Sequence, residues 1–451
     1  MRDPARRVRV PCAFRARLPM KALVETRSTR PARVFLIGVE LKSGGAAASR
    51  ESLDELGQLA TTAGGEVVGE GSQKLDAPNA GTYIGKGKAE EVAAFCKANK
   101  IDTVIFDDEL TPAQTRNLEK IFASRILDRT ALILEIFAQR ARTREGQMQV
   151  ELAQLQHLLP RLTRYWSHLS RQKGGIGLRG GEGESQLEAD RRKVQERISR
   201  IVKDLDHVRQ QRSLQRNARK RNNVPLASIV GYTNAGKSTL LNALTGAGVM
   251  AKDILFATLD PTTRRLSLPT NQQVLLTDTV GFIRKLPHGL VEAFKATLEE
   301  VVEADLLVHV VDVSHPQADE QIAAVNAVLK ELGADEKSTI MAFNKIDRIE
   351  HGGVLARFTE RWPHGVAVSA RTGEGVAALL GEIGKQLRPI REFVQLAIPH
   401  ERPEVIARLH KIGQVVERNY RGRRAKFKAR IPPHYHAEFA EFIEKDLAAS
   451  E

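Results

Sequence analysis

Residues 224-VPLASIVGYTNAGKSTLLNAL-244 combine a β-rich apolar run, a glycine-rich turn and a helical pattern. Gly231 is followed after four residues by Gly236-Lys237-Ser238, the spacing of a phosphate-binding loop between a strand and a helix. In such a loop the backbone amides surround a phosphate, the lysine reaches the β and γ oxygens, and the serine hydroxyl binds Mg²⁺. The stretch therefore predicts an α/β nucleotide-binding domain that uses Mg²⁺.

Two further motifs, 278-DTVG-281 and 344-NKID-347, each follow an apolar strand. Asp278 is expected to hold Mg²⁺ through water, and the Gly281 amide to sense the γ-phosphate. The Asp347 carboxylate can accept hydrogen bonds from guanine, whereas adenine offers no matching donors and would leave a buried carboxylate unpaired. In this order, the motifs predict a GTP hydrolase.

The segment 255-LFATLDPTTRR-265 is predicted to be the first switch, with Thr258 preferred over Thr262 and Thr263 as the group that completes the Mg²⁺ shell when GTP is bound. The predicted metal ligands are then Ser238 and Thr258, and the predicted catalytic residues are Lys237, Asp278 and Gly281. The predicted GTP contacts form five groups along the chain: Gly231, Tyr232, Thr233, Asn234, Ala235, Gly236, Lys237, Ser238 and Thr239; Phe256, Ala257, Thr258, Leu259 and Asp260; Asp278, Thr279, Val280 and Gly281; Asn344, Lys345, Ile346 and Asp347; Ser369 and Ala370.

Phe282 stands where many GTPases place the glutamine that orients the attacking water. A phenyl ring cannot do this, so intrinsic hydrolysis is expected to be slow unless a partner, another side chain or an ion supplies the missing group. Asn234 lies in the phosphate loop at a place where an asparagine coordinates potassium in some GTPases with a hydrophobic residue after this glycine. Potassium activation is therefore a hypothesis for this chain.

A seven-residue repeat of apolar residues precedes the GTPase motifs. Over 145–170 the repeat positions are Met148, Leu152, Leu155, Leu159, Leu162, Trp166 and Leu169, and after a glycine-rich link they are Leu187, Val194, Ile198, Ile201, Leu205 and Val208. Two helices of this kind joined by a short link should form a long antiparallel hairpin, with arms of about 35–40 Å.

The link contains Gly175, Gly177 and Gly180, which fit G-x-G-x-x-G. Because they lie between two helices and not between a strand and a helix, a dinucleotide-binding turn is excluded. Residues 174–184 are predicted to be the hairpin tip, with Arg171, Lys173 and Arg179 as candidate RNA contacts; the alternative is a flexible tip without a partner. The second arm ends in 209-RQQRSLQRNARKR-221, a basic run that favours an RNA-facing stripe.

Composition limits the partners and the compartment. The 451 residues carry a net charge of +14, which favours a polyanionic partner, nucleic acid first. The two cysteines exclude a disulfide scaffold, and no apolar run approaches the roughly 18–20 residues of a membrane span, so a cytoplasmic protein is expected.

The chain is predicted to comprise five parts: a basic arm at 1–32, an α/β domain at 33–140, the hairpin at 141–222, the GTPase domain at 223–392 and a small α+β domain at 393–451. In the first domain Thr111 is a predicted helix N-cap followed by Pro112 at the first helical position. The turn 81-GTYIGKGKAEE-91 fits either a phosphate cradle at a helix N-terminus or a plain surface loop.

Residues 81-GTYIGKGK-88, 180-GGEGESQLEADRR-192, 231-GYTNAGKSTLLNAL-244, 256-FATLDPTTRR-265 and 278-DTVGFIRKLPHGLVEAF-294 together resemble the HflX GTPases. The resemblance spans about residues 33–445; Ser185 stands where the family usually has threonine, and the first 30 residues lie outside it. It implies GTP-dependent binding to the large ribosomal subunit and its ribosomal RNA, with the glycine loop directed toward the peptidyl transferase centre, and splitting of stalled ribosomes.

The sequence is also compatible with two other functions. A large-subunit assembly factor would share the partner, and a signalling GTPase would act on a protein effector. The resemblance also implies an ATP-dependent RNA-remodelling activity of the first domain. Only the glycine- and lysine-containing turn at 81–88 supports that activity here. The free protein is expected to be a monomer that exchanges GTP and GDP.

Overall fold

The structure is a computed structural model that describes residues 30–42, 46–162, 182–221, 224–246, 255–269, 272–285, 298–349, 352–387, 392–420, 424–431 and 435–446. The predicted RNA contacts Arg171, Lys173 and Arg179 lie outside these residues, as does most of the predicted hairpin tip at 174–184. No helix in the described ranges is long and apolar enough to cross a membrane.

The first domain alternates strands and helices around a parallel sheet of order β2-β1-β3-β4. Phe35 and Phe106 pack on one side of this sheet with the core of α2 and α3, while Leu36 faces the other side, where α1 and α4 lie. Its elements are β1 Ala32–Leu41, α1 Ala46–Thr62, β2 Gly65–Leu75, α2 Lys86–Ala98, β3 Thr103–Phe106, α3 Pro112–Ile121, β4 Arg125–Asp128 and α4 Arg129–Arg140.

Local signals position the helices of this domain. Thr111 is the N-cap of α3: its hydroxyl accepts from the Gln114 amide at 3.2 Å, and the Gln114 side chain accepts from the Thr111 amide at 2.9 Å. This capping box confirms the predicted start of the helix. In the turn at 81–91, Lys86 and Lys88 form ion pairs with acids of α2.

The hairpin is formed by α5, Arg144–Leu158, and α6, Glu182–Arg221. They run antiparallel, since Arg212 pairs with Glu145 and Arg197 with Glu151. Their seam contains six of the predicted repeat positions: Met148, Leu152, Leu155, Ile198, Ile201 and Leu205.

The repeat predicts one continuous helix over 145–170, but α5 ends at Leu158. Pro160 explains the difference, because proline has no amide hydrogen to donate to the carbonyl four residues before it and its ring obstructs that carbonyl. Arg161 then turns toward the first domain and donates to the Leu110 carbonyl at 3.0 Å and to Asp128 at 2.8 Å.

The third unit is the predicted α/β GTPase-type fold. Its sheet has the order β10-β9-β8-β5-β7-β6, with only β6 antiparallel to its neighbour. The carboxyl ends of β5, β7 and β9 therefore lie at one edge, where their loops meet. The elements are β5 Leu226–Gly231, α7 Lys237–Thr245, β6 Thr262–Ser267, β7 Gln273–Asp278, β8 Leu306–Asp312, α8 Ala318–Glu331, β9 Thr339–Asn344, α9 Gly352–Arg361, β10 Val366–Ala367 and α10 Val376–Gln386.

The last unit is a four-stranded antiparallel sheet of order β12-β13-β11-β14. The predicted strand–helix–strand–strand–helix order is present, and a further strand, β14, closes the sheet beside β11. The elements are β11 Glu392–Pro399, α11 Pro403–Ile412, β12 Gln414–Asn419, β13 Arg424–Ile431, α12 His436–Phe439 and β14 Ile443–Asp446.

Candidate nucleotide site

The loop between β5 and α7 depends on its two motif glycines. Gly231 has φ +148°, and a Cβ there would lie 2.3 Å from the Val310 carbonyl oxygen. Gly236 has φ +94°, and a Cβ there would lie 2.3 Å from the Asn344 side-chain nitrogen. Any larger residue would displace the loop, so both the backbone conformation and the close packing require glycine.

Lys237 begins α7 and is buried against this loop. Its ammonium group donates to the carbonyl oxygens of Gly231 at 3.1 Å and Tyr232 at 2.7 Å. Burial lowers the pKa of Lys237 to about 8, although Asp278 acts in the opposite direction. A charge held in this way by loop carbonyls is placed to bind an anion that enters the loop.

Three oxygen-bearing side chains converge beside the lysine. The Ser238 hydroxyl donates to Asp278 Oδ2 at 2.6 Å, the Thr258 hydroxyl donates to the same oxygen at 3.0 Å, and the two hydroxyl oxygens are 2.8 Å apart. Asp278 is fully buried, and burial raises its pKa. Its second oxygen, Oδ1, has no hydrogen-bond partner among the described residues.

This arrangement fits a hard divalent cation. Hydroxyl and carboxylate oxygens are the ligands that Mg²⁺ prefers, and a buried carboxylate with an unpartnered oxygen is stabilised by a nearby positive charge. The other candidate threonines lie elsewhere: Thr262 belongs to β6, and the Thr263 hydroxyl is 2.9 Å from that of Thr277 within the sheet.

A second cluster forms at the ends of β9 and β10. Asn344 joins two loops, since its amide nitrogen donates to the Ala235 carbonyl at 2.8 Å and its oxygen accepts from the Ala370 amide at 2.9 Å. The Ser369 hydroxyl donates to Asp347 at 2.6 Å, and this hydrogen bond holds the pKa of Asp347 below its usual range. Asp347 is thus a fixed, ionised acceptor, as recognition of a guanine edge requires.

The phosphate-loop cavity contains many of the predicted GTP contacts. Its lining residues are Thr233, Asn234, Gly236, Lys237, Ser238, Thr239, Phe256, Ala257, Thr258, Thr279 and Gly281. Gly281 approaches closely, since a Cβ there would lie 2.9 Å from the Lys237 nitrogen. The Thr233 hydroxyl oxygen is buried and has no partner within the described residues, so it is available to a phosphate oxygen.

Other predicted contacts lie away from this cavity. The Asp260 carboxylate is directed at the start of α5, where it accepts from the Arg142 amide at 2.8 Å. Lys345 pairs with Asp312 at 2.6 Å beside the guanine-edge cluster. The Tyr232 side chain is directed into the first domain, where its hydroxyl donates to Glu55.

Phe282 is 2% exposed and its side chain lies in an apolar cluster shared with the first domain. Its backbone is tied to the phosphate loop, because its amide donates to Gly231 at 3.1 Å and its carbonyl accepts from the Thr233 amide at 2.7 Å. The side chain that replaces the usual glutamine therefore packs inside the protein.

Sequence reasoning missed the residues of the first domain that contact this site. Arg129 pairs with Glu55 and, at 2.8 Å, with Asp107, while Lys285 reaches Asp107 at 2.6 Å. Tyr232 lies in the phosphate loop and Lys285 follows the 278–281 motif, so the first domain contacts the GTPase domain at two of the nucleotide motifs. The signal available was the position of Asp107 directly after the apolar strand β3, where a carboxylate lies at the functional edge of a parallel sheet.

Three regions of the chain match described protein families. Residues 50–138 match a family profile described as "GTP-binding GTPase N-terminal", residues 140–219 match "GTP-binding GTPase Middle Region", and residues 227–345 match "50S ribosome-binding GTPase". A solved structure titled "crystal structure of SsGBP and GDP complex" is similar at 26% identity and a TM-score of 0.46, over 78% of this chain and 98% of that one.

Two curated relatives are similar over most of their length. A protein named "GTPase HflX" from Magnetococcus marinus is 48% identical over 397 residues, which are 88% of this chain and 91% of the relative. "GTPase HflX" of Escherichia coli strain K12 is 48% identical over 371 residues, 82% of this chain and 87% of the relative. Because both relatives are 48% identical to it over more than four-fifths of its length, the chain belongs to the HflX family of GTPases.

Proposed function

We propose that the GTP-bound form of this GTPase binds the large ribosomal subunit and splits or rescues stalled ribosomes, and that hydrolysis to GDP releases it. GTP binding and hydrolysis are supported above all by one observation, the convergence of Ser238, Thr258 and Asp278 beside Lys237. The ribosomal part is supported by the match of residues 227–345 to a 50S ribosome-binding GTPase profile.

Each residue of the site has a role in this proposal. Lys237 would bind the β and γ oxygens of the nucleotide from its place in the loop. Ser238, Thr258 and Asp278 would hold Mg²⁺, which when bound would supply positive charge beside the phosphates. Gly281 presents its amide to the γ-phosphate, and Asp347 accepts from guanine. Thr258 contacts the metal only in the GTP state, so the first switch reports which nucleotide is bound.

Potassium is proposed as the source of the group that Phe282 cannot supply. Asn234 has φ +60° and lines the phosphate cavity. Its side-chain oxygen can coordinate a monovalent cation next to the phosphates. The test compares single-turnover hydrolysis in potassium and sodium buffers of equal ionic strength, for the wild type and Asn234→Ala. We expect faster hydrolysis in potassium for the wild type only; equal rates in both salts would exclude the hypothesis.

The ribosomal partner is also supported by charge and shape. The chain has a net charge of +14, and α6 extends the hairpin over 40 residues. Arg171, Lys173 and Arg179 are proposed to contact ribosomal RNA from the tip at 174–184.

Two alternative functions remain. A large-subunit assembly factor would bind the same partner at a different time, and a signalling GTPase would act on a protein effector. The protein is proposed to be a cytoplasmic monomer when free.

Co-sedimentation with ribosomes and separated subunits tests the proposal, in a non-hydrolysable GTP analogue, in GDP and without nucleotide. We expect the analogue to strengthen binding to the large subunit and to reduce the amount of intact ribosomes. Deletion of 174–184 should abolish splitting, while Ser238→Ala should remove the difference between nucleotides. Binding to RNA should weaken steeply as salt rises. No binding in any nucleotide state would overturn the ribosomal assignment and favour a protein effector.

A further inference from the structure

Asp260 joins the first switch to the base of the helical hairpin. Its carboxylate accepts from the backbone amides of Arg142 at 2.8 Å and Thr143 at 3.0 Å, and from the Thr143 hydroxyl. Thr143 is the N-cap of α5, and its hydroxyl oxygen also accepts from the Gly146 amide at 3.0 Å. A carboxylate 117 residues away in sequence therefore extends the cap of this helix.

The approach of Asp260 depends on a glycine in the first turn of α5. A Cβ on Gly146 would lie 2.5 Å from Asp260 Oδ1 and 3.1 Å from the Thr143 hydroxyl oxygen. Glycine has a low helix propensity, so its presence inside the helix is unfavourable unless packing requires it. The carboxylate also lies at the positive end of the helix dipole, which stabilises its charge.

A second contact holds the other side of the switch. Phe256 is fully buried and meets Phe137 of α4 edge-on, with ring centroids 4.8 Å apart. Thr258 lies between Phe256 and Asp260, and its hydroxyl reaches Ser238 and Asp278 at 2.8 and 3.0 Å. The segment that carries Thr258 is thus fastened at one end to α4 and at the other to α5.

We propose that Asp260 is a positioning residue for GTP hydrolysis: by capping α5 it fixes Thr258 at the cation site and links the nucleotide state to the base of the hairpin. This inference rests on the proposed role of Thr258. Thr258 contributes to binding only when the γ-phosphate is present, so Asp260 acts selectively on the GTP state. By linkage, the GTP state in turn strengthens the cap of α5.

The experiment measures the affinities of a non-hydrolysable GTP analogue and of GDP for the full chain, with single-turnover hydrolysis in parallel. For Asp260→Ala we expect analogue affinity to fall about tenfold, with GDP affinity changed less than about twofold, since a lost coupling of 5–150-fold is typical. Asp260→Asn, which keeps one acceptor oxygen, should lie between this variant and the wild type. Thr111→Ala removes the cap of a different helix, α3, and serves as the matched control for a mere loss of stability.

Gly146→Ala separates positioning from helix stability. Alanine favours the helix, yet its methyl group displaces Asp260. We expect the analogue preference to fall as in Asp260→Ala, while the higher helix propensity of alanine offsets the lost Asp260 cap of α5. Hydrogen exchange of the α5 amides measures the stability of the helix. Equal loss of analogue and GDP affinity in the Asp260 variants, or no loss of either, would overturn the inference.

Thr258→Ala distinguishes a failure of this inference from a failure of the proposed site. If Thr258→Ala reduces analogue affinity and Asp260→Ala does not, Asp260 is only a structural cap and the positioning role is wrong. If neither variant changes the ratio of the two affinities, the assignment of Thr258 as a nucleotide-dependent ligand fails, and the role of Asp260 fails with it.

Discussion

The ammonium group of Lys237 is buried inside the phosphate loop, and burial lowers its pKa to about 8. A bound phosphate favours the charged ammonium group, so GDP binding must take up a proton whenever the free lysine has lost it. We therefore expect GDP affinity to be constant between about pH 7 and 8, above the second phosphate pKa of about 6, and to fall as pH rises further, with a slope approaching roughly tenfold per pH unit. Equilibrium titration with fluorescent GDP across this range measures the profile.

Lys237→Arg is the matched control for this pH dependence. The guanidinium group keeps its proton over the whole range, so any remaining slope comes from ionisation of the guanine base. A wild-type profile that runs parallel to that of the arginine variant would mean that Lys237 is charged throughout, and would contradict the prediction.

Asp347 is proposed to select the guanine base by accepting two hydrogen bonds from it. The Ser369 hydroxyl fixes its carboxylate and keeps it ionised. In Asp347→Asn an amide donor replaces an acceptor, so we expect GDP affinity to fall roughly 10- to 100-fold, while xanthosine diphosphate, whose 2-oxo group accepts, gains affinity. Titration of both nucleotides measures the change. Asp335→Asn alters an exposed carboxylate of the same domain and should leave both affinities unchanged; a parallel loss for both bases in Asp347→Asn would argue against base recognition.

Among the elements, α3 is the helix whose start depends most clearly on a local signal. Both hydrogen bonds of the Thr111–Gln114 capping box are formed. We expect Thr111→Ala to lower the free energy of unfolding by about 1 kcal/mol, within the 0.5–2 kcal/mol typical of lost N-caps, without changing GTP hydrolysis. Urea denaturation measures the loss. Thr111→Ser should restore most of the stability; an alanine variant as stable as the wild type would show that Gln114 alone satisfies the helix start.

Elements were predictable from sequence where the deciding residues are neighbours. The phosphate loop and the start of α3 depend on short motifs, and both were anticipated at the right positions. The end of α5 was not, because the apolar repeat runs through Pro160, which cannot donate the next helical hydrogen bond. The contacts of Asp260 and of the Phe282 side chain could not be predicted from the sequence either. Each depends on packing against a segment that is distant in the chain, and no local pattern indicates it.

At the scale of the molecule, the first domain and the GTPase domain share one core. The apolar cluster that contains Phe282 and Phe256 also includes Leu56 of α1 and Phe137 of α4. Arg129, 1% exposed, bridges Glu55 and Asp107 at the edge of this cluster. Because the phosphate loop contacts Glu55 through Tyr232, nucleotide binding is expected to stabilise both domains together.

Arg129→Met should weaken the coupling of the two domains. Arg129 pairs with Glu55 and Asp107 inside the first domain. These are the two carboxylates that Tyr232 and Lys285 of the GTPase domain contact. Removal of the guanidinium leaves Glu55 without its ion-pair partner and Asp107 still paired with Lys285, and loss of one partner of a buried pair typically costs about 3–5 kcal/mol.

In the wild type we expect one urea transition, seen equally by fluorescence of Trp362, which directly follows α9, and by thiol labelling of buried Cys96 in α2. GDP should move this transition to higher urea for both probes. In Arg129→Met the Cys96 transition should move to lower urea and lose its response to GDP, while the Trp362 transition keeps it.

The control for this prediction comes from the same domain. Arg125 pairs with Glu135 at the surface, where an ion pair contributes about 0–1 kcal/mol, so Arg125→Met should preserve the common transition. A Cys12→Ser background restricts labelling to Cys96, and Trp166→Phe restricts the fluorescence to Trp362. If Arg129→Met keeps coincident transitions that both shift with GDP, the apolar cluster and the direct contacts of Tyr232 and Lys285 couple the domains without Arg129. If the two probes already diverge in the wild type, the shared core does not make the domains one cooperative unit.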